Sequence, residues 1–453
     1  MHDLRKQVLL ESGKTVSRKA RSKAGTPVGS KSGSPAQSRS NSRVPSRNAS
    51  DDESELSDGT QWGTNSIDEL LAADPDAPAD AYTQDLRERI EQILDRKRSS
   101  AEGRELSLNS FTVDLMRHYS YDELRHKMGE LLPAVLKCVK SGATERETVL
   151  AVKAIALMLV TVPNDQIYDA VSGPLKSIIS DAEHAAAKLA AIHALSVATF
   201  YGGASTDETE EIMDWFLEII SSDGAVIEAT DDAEVVTAAL EEWGFLATQI
   251  EDMEDTTEVA METFIDQLES SDANVQIAAG ENIALLYEKS WTEAEGDNDI
   301  PEKPEDKVTN AAGEKMVKRY TVWRQQHLLE QSLEDLSRAS SKRQSKKDRK
   351  ALHQAFNDIL VTIEKPTRGP RYSTAINQET DREYGSRLKV SVTVDGRRGG
   401  AVMIIDKWWK LHRLNALKRL LQGGFMVHYE HNELVYESLP MDVEGGEDDD
   451  DDF

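Results

Sequence analysis

Cysteine is almost absent. Cys138 alone excludes an internal disulfide and a cysteine-based zinc site, and its setting, Leu131-Leu132-Pro133-Ala134-Val135-Leu136-Lys137-Cys138-Val139, reads as an apolar helix face in which the thiol packs. Proline and phenylalanine are scarce, with 13 and 8 residues, while 30% of the chain is charged, a balance that suits a soluble helical protein with disordered parts. Long apolar runs are missing as well. The stretch Val149 to Val162 is interrupted by Lys153 and falls short of the roughly 18 to 20 residues that span a bilayer, so no membrane partner is expected. The opening Met1-His2-Asp3-Leu4-Arg5-Lys6 has no signal-peptide apolar stretch and no myristoylation glycine, which predicts a protein kept inside the cell. Lys and Arg are absent from residues 189 to 288, where Asp207 to Glu288 alone holds about two dozen Asp and Glu. With a formal net charge of −29, sequence-blind nucleic-acid binding by the whole surface is excluded by repulsion.

The rest divides by composition. Residues 1–80 are rich in Ser, Gly, Pro and Ala, first basic (Arg18-Lys19-Ala20-Arg21-Ser22-Lys23) and then acidic (Asp51-Asp52-Glu53-Ser54-Glu55). So few large apolar side chains cannot offset the entropy of ordering, which predicts a disordered arm whose basic half could serve nuclear import. Gly13-Lys14-Thr15 is no phosphate loop, because Val8 occupies the position of the first glycine and no strand precedes it. Residues 81–364 read as an α-solenoid. Apolar residues recur at three and four, as in Leu189, Ile192 and Leu195 or Leu240, Trp243 and Leu246, and Gly, Pro, Asp and Ser punctuate them. The spacing predicts helix pairs of roughly 40 residues, the armadillo/HEAT period, with a single irregular bundle as the alternative. Two segments, starting at Asp181 and Asp272, read as inner helices, each with an Asp N-cap and small residues where neighbours approach. Within this block 291–310 reads as an acidic linker or loop, and 311–364 as long basic helices with boundaries 311–338 and 344–364.

After Pro366 and Pro370 a small α+β module is expected over residues 365–441. Leu388, Val390, Val392 and Val394 alternate with polar residues as a strand, Asp395-Gly396 marks a turn, and Ala401 to Ile405 is a second strand. A helix follows from Asp406 to Leu421 and another within Phe425 to Leu439. The tail, 442–453, is acidic and expected to be disordered. The fold class is thus all-α, a helical-repeat solenoid with a C-terminal α+β module and disordered ends.

Three stretches are more than generic. Asp272-Ala273-Asn274-Val275-Gln276-Ile277-Ala278-Ala279-Gly280-Glu281-Asn282 and the residues to Glu288 form the first; Lys346-Lys347-Asp348-Arg349-Lys350 with Phe356-Asn357-Asp358-Ile359-Leu360 the second. The third is Ile405-Asp406-Lys407-Trp408, His412, Lys418, Leu421, Gly424, His428 and Asn432-Glu433-Leu434. Together, in order over roughly residues 80 to 440, they resemble the interferon-related developmental regulator family. That resemblance implies an armadillo-type fold, no enzymatic activity, and a role as a transcriptional co-regulator or as a factor on translationally silent ribosomes. Tyr436 departs from the family's usual Arg, and Glu447 to Asp452 replaces the basic extension of animal members, so a role that threads a basic tail into an RNA channel is not carried over.

No constellation reads as catalytic, and no cofactor, metal or small-molecule substrate is expected. His428 and His431 with His412 upstream lack the further ligands of a zinc site, and acidic pairs such as Glu241-Glu242 read as ordinary helix surface. In the helix from Asp406, a spacing of 100° per residue puts Trp408, His412, Asn415 and Arg419 on one stripe, which can stack on a splayed base and grip a phosphate. The alternative is packing, with Trp408 against Phe425 or the preceding strand and only Arg419 and its neighbours exposed. The candidate RNA or partner contacts are Lys346, Lys347, Lys350, Lys407, Trp408, Lys410, His412, Asn415, Lys418, Arg419, His428 and Asn432. The basic helix and the module after it are expected to form one RNA-facing surface, with Lys346, Lys347, Lys350, Lys410 and Arg419 exposed. Two functions follow: a ribosome-associated regulator of translation, with basic segments on rRNA and the acidic solenoid on ribosomal proteins, or a nuclear co-regulator scaffolding chromatin or co-repressor proteins. The first is favoured, with a cytoplasmic location that extends to the nucleus if the basic arm directs import. In either, the acidic solenoid favours basic partners.

Overall fold

Helix starts are set by side chains that cap orphan backbone amides. Ser100, Thr144 and Ser205 accept from the residue three positions on, Ser205 with Glu208 forming a complete capping box, and Asp232 and Asp272 each accept from two amides. The computed structural model describes residues 79–96, 99–294, 307–309, 315–338, 346–377, 382–394 and 397–441. The expected disordered arm and acidic tail, apart from residues 79 and 80, lie outside them.

The helices come in pairs. Helix α1 (Ala79–Leu94) packs on α2 (Ala101–Arg117), and a single turn, α3 (Tyr121–Leu124), leads to α4 (Met128–Lys140) with α5 (Glu145–Thr161). Then come α6 (Ile167–Asp181) with α7 (Ala185–Tyr201), α8 (Thr206–Ser221) with α9 (Ala233–Ala247), and α10 (Glu254–Gln267) with α11 (Ala273–Lys289). A last pair is α12 (Gln326–Arg338) with α13 (Lys346–Glu364). The second helices of the pairs pack in a continuous row, α2–α5–α7–α9–α11–α13, and the first helices make an outer row in which α1–α4–α6 and α8–α10 pack side by side. This is the stacked-repeat arrangement expected of a solenoid.

The inner helices α5, α7 and α9 are buried almost all round. In α7 even Lys188 is 2% exposed, its Nζ donating to the carbonyls of Ile179, Ser180 and Ile227, which satisfies the chain end of α6 with a cation. The inner helix anticipated from Asp181 starts later, at Ala185, because Asp181 ends α6. That anticipated from Asp272 starts as expected, and its Gly280 is needed for packing: a Cβ there would lie 2.6 Å from Ile359 Cδ1 of α13.

Between the last two pairs the sequence reading is corrected. Residues 311–338 do not form one helix. A small antiparallel sheet of order β1-β3-β2 joins Trp291–Glu293 (β1), Lys307–Thr309 (β2) and Lys315–Lys318 (β3). Met316, Val317, Tyr320 and Val322 are buried there, and α12 begins only at Gln326.

The C-terminal module opens with two antiparallel hairpins, β4 (Tyr372–Asn377) with β5 (Arg382–Ser386) and β6 (Lys389–Val394) with β7 (Arg397–Ile404), so the second strand of the last hairpin starts at Arg397 rather than Ala401. Val390, Val392 and Met403 face the core, as the alternation indicated. Helix α14 (Trp408–Leu421) follows, then α15 (Phe425–His431) and α16 (Glu433–Ser438), where one helix had been anticipated. Asn432 divides them by capping Leu434 N. Helix α14 lies across the inner row, touching α2, α5, α9 and α11, so the inner row is sandwiched between the outer row and the chain's own C-terminal helix.

Candidate functional site

The seam between α14 and the inner row is where most of the candidate residues meet. A carboxylate from α11 fixes the start of α14: Glu288 Oε2 accepts from Trp408 N at 2.7 Å and Oε1 from Trp409 N at 3.1 Å, a negative group at a helix N-terminus. Burial pushes the Glu288 carboxyl up, and Lys407 and the two backbone bonds pull against it. Trp408 is 2% exposed and its Nε1 donates to Thr362 Oγ1 of α13 at 2.8 Å. One turn on, His412 reaches the backbone of α9 at Gly244, where a Cβ would lie 2.5 Å from its Cε1 and 2.2 Å from Asn282 Oδ1. Glycine is required for that close approach. Burial pushes His412 down to about 4, so the ring is neutral at pH 7.

Arg419 closes the seam. Its side chain is 7% exposed, with Nη1 on Glu241 and Nη2 2.7 Å from Glu242 Oε1. Glu242 also accepts from His193 Nδ1 at 2.6 Å. Burial works to raise the Glu242 carboxyl, but Arg419 and then His193 outweigh it and hold the group below the usual carboxylate range. Burial, with Arg419 adding to it, lowers His193. The network is therefore an arginine, an ionised carboxylate and a neutral histidine. Glu281, in the same seam, is pushed up to about 8 by desolvation and then by Glu241 and Asp358.

The other candidates are also placed. Lys410 is buried and paired with Asp406 at 2.9 Å; Lys418 lies over the Phe425 ring at 5.9 Å; Lys407 is half-buried beside Glu288. His428 donates from Nε2 to the Leu115 carbonyl at 2.8 Å, and Asn432 from Nδ2 to the Val160 carbonyl at 2.9 Å, both from fully enclosed positions. Asn415 is half-buried on the stripe. Lys350 is exposed on α13, and Lys346 and Lys347 open that helix, with their side chains outside the described residues.

Two expectations are corrected. The stripe Trp408, His412, Asn415, Arg419 exists as spaced, but it faces the solenoid: Lys410 and Arg419, anticipated as exposed, are bound inside the protein, and Trp408 packs on α13 rather than on Phe425 or the strand. Nor do the basic start of α13 and the stripe make one surface, since Lys350 lies twelve residues before Thr362, about 18 Å along the helix from the Trp408 contact. Glu241 and Glu242, read as ordinary helix surface, are the acceptors that turn the stripe inward. Arg413, which donates to Thr248 Oγ1 at 2.9 Å and covers the Phe200 and Trp409 rings, was not singled out either.

Solvent meets charge elsewhere. Helices α8 and α10 neighbour one another in the outer row and expose Asp207, Glu210, Glu211, Asp214, Glu218, Glu254, Asp255, Glu258, Glu262 and Asp266. Among the described residues no group of three His, Cys, Asp or Glu is placed to hold a metal ion, and no helix is long and apolar enough to cross a membrane.

Comparison with known proteins adds the remaining finding. Residues 44–364 match the family described as Interferon-related developmental regulator. An uncharacterized protein of Schizosaccharomyces pombe is 26% identical over 356 residues, 78% of this chain and 73% of its own length. Human Interferon-related developmental regulator 1 is 22% identical over 371 residues, 78% of this chain and 70% of its own. Mouse Interferon-related developmental regulator 2 is 23% identical over 381 residues, covering 80% and 74%.

Proposed function

Since the chain belongs to the interferon-related developmental regulator family, we propose that it is a non-catalytic scaffold that regulates gene expression by associating with ribosomes in the cytoplasm. One observation carries the reading: charge is sorted on the described surface. The carboxylates of α8 and α10 stand together in solvent, suited to basic ribosomal proteins, while exposed cations gather after the solenoid's acidic part, at Arg349 and Lys350 and on the C-terminal hairpins, suited to rRNA phosphates. The neutral histidines and the paired carboxylates of the α14 seam act in packing, and among the described residues no nucleophile with a base is set in a cleft. Sedimentation of cell extract on a sucrose gradient, with and without ribonuclease, tests it. The chain is expected in ribosomal fractions, released by ribonuclease and by raised salt. A chain that stays at the top of the gradient under low salt contradicts the proposal.

A second reading, a nuclear co-regulator that scaffolds chromatin or co-repressor proteins, is favoured by the burial of Trp408, His412 and Arg419, which leaves less of the module for RNA. Ribonuclease-insensitive recovery of the chain with chromatin would support it.

A further inference from the structure

The C-terminal module turns its cationic helix inward, but its hairpins are turned the other way. Residues 365–405 hold eight Lys and Arg against four Asp and Glu, a net charge of +4 in a chain of −29. From Gly385 to Val392 the backbone alternates: Ser386, Leu388, Val390 and Val392 are buried, and Arg387, Lys389 and Ser391 face solvent. Ser391 is paired across the hairpin with Val402, which is 48% exposed, so the outward side of β6–β7 combines a cation with an apolar platform. Beside it the Arg387 guanidinium lies over the Tyr384 ring at 5.8 Å, with Tyr384 itself 53% exposed. Arg387 and Lys389 have no ion-pair partner among the described residues, whereas Arg368, one loop away, is tied to Glu383 at 3.3 Å. An exposed ring with an arginine on its face and a second cation two residues on is the combination that stacks a splayed base and holds the phosphate next to it.

We infer that the outward face of the two C-terminal hairpins, with Tyr384, Arg387 and Lys389 at its centre, binds single-stranded RNA. The inference rests on the ribosome reading for its setting and sharpens it, moving the RNA contact from the buried helix α14 to the strands before it. Charge selects the ligand class, since a patch of net positive charge attracts phosphate on a chain whose overall charge repels it. The exposed tyrosine selects a single strand over a duplex, whose bases are already stacked.

The test is fluorescence anisotropy of a labelled oligouridylate with the full chain, alongside gradient sedimentation of the same proteins. Wild type is expected to bind with affinity that falls as salt rises. R387E/K389E is expected to lose about tenfold or more at low salt and to lower the slope of log affinity against log salt by about 1.4, the counterions of two single-strand contacts. Y384A is expected to weaken binding several-fold at unchanged slope, because a base stack is lost and no phosphate contact. Both variants are expected to keep wild-type circular dichroism and Tm. Unchanged affinity in R387E/K389E overturns the hairpin surface, and so does equal competition by polyglutamate, which would mark an acidic-protein site. If wild type binds the oligonucleotide through these residues yet never enters ribosomal fractions, the hairpin surface stands and the ribosome reading fails. If R387E/K389E sediments with ribosomes and binds RNA as wild type does, the reverse holds.

Discussion

In helix α14 charged side chains are drawn inward, and in the outer helices α8 and α10 they stand in solvent. Arg419, Lys410 and Lys407 each meet a carboxylate of the same chain, while Asp207, Glu210, Glu254 and Glu258 remain exposed on α8 and α10, two helices without a Lys or Arg. The difference teaches that the density of charge along a helix does not say whether it serves recognition or packing. What decides is whether opposite charge is waiting on the face it meets. For α14 it is, at Glu241, Glu242 and Glu288; the exposed carboxylates of α8 and α10 meet no Lys or Arg in an ion pair among the described residues.

The largest expected effect of breaking this contrast lies at Trp408. Trp408→Ala removes a fully enclosed ring and leaves Thr362 without its indole donor, which should cost about 3 to 5 kcal/mol in urea unfolding. Loss of RNA or ribosome binding at unchanged stability would instead mark an exposed ring. Arg419→Ala strands two carboxylates in the seam and is expected to cost a similar or somewhat smaller amount, up to about 5 kcal/mol; restoring part of the loss with Glu242→Gln in the same chain would identify the unpaired charge as the cause.

Acid should weaken the seam progressively. His412 and His428 are held down to about 4 by burial, against an ordinary 6.5, so the stability they lend is present above pH 6.5 and is lost as pH falls toward 4. Glu281 acts in the opposite sense: with its carboxyl raised to about 8, its contribution is full at the ordinary carboxylate value of 4.5 and is lost as pH rises through 8. Urea midpoints across this range should therefore peak near pH 6.5, and His428→Gln should flatten the acid limb. A flat profile would mean that these rings are hydrated. The smallest effect is expected on the outer face. Glu254→Gln, Glu258→Gln and Glu262→Gln should each shift stability by no more than about 0.5 kcal/mol while together weakening association with a basic protein.

Much of this architecture was legible in the sequence. The apolar recurrence of Leu189, Ile192 and Leu195 or Leu240, Trp243 and Leu246 marks inner helices because both of their sides are covered by neighbours of the same kind. The strand at Val390 and Val392 was legible because one of its faces is buried. The sheet β1-β3-β2 was not: its strands are three or four residues long, too short for a period of two to show, and they pair across intervals that carry no pattern. The candidate site was half legible. Spacing places Trp408, His412, Asn415 and Arg419 on one stripe, as observed, but the direction of that stripe depends on Glu241, Glu242 and Glu288 more than a hundred residues away. No local signal on α14 reports them. The hairpin surface was missed for the converse reason, since Arg387 and Lys389 stand in a strand whose alternation was read for its buried side.

Helix α14 belongs to the solenoid's core and is not a detachable RNA-facing helix. Amide hydrogen exchange of the full chain, alone and with ribosomes, tests it most directly. The amides of Leu411 to Leu421 are expected to exchange as slowly as those of α9, at the rate of global unfolding, and to be unchanged by ribosomes. Fast exchange of α14 in the free chain, with protection appearing only when ribosomes are added, would contradict it.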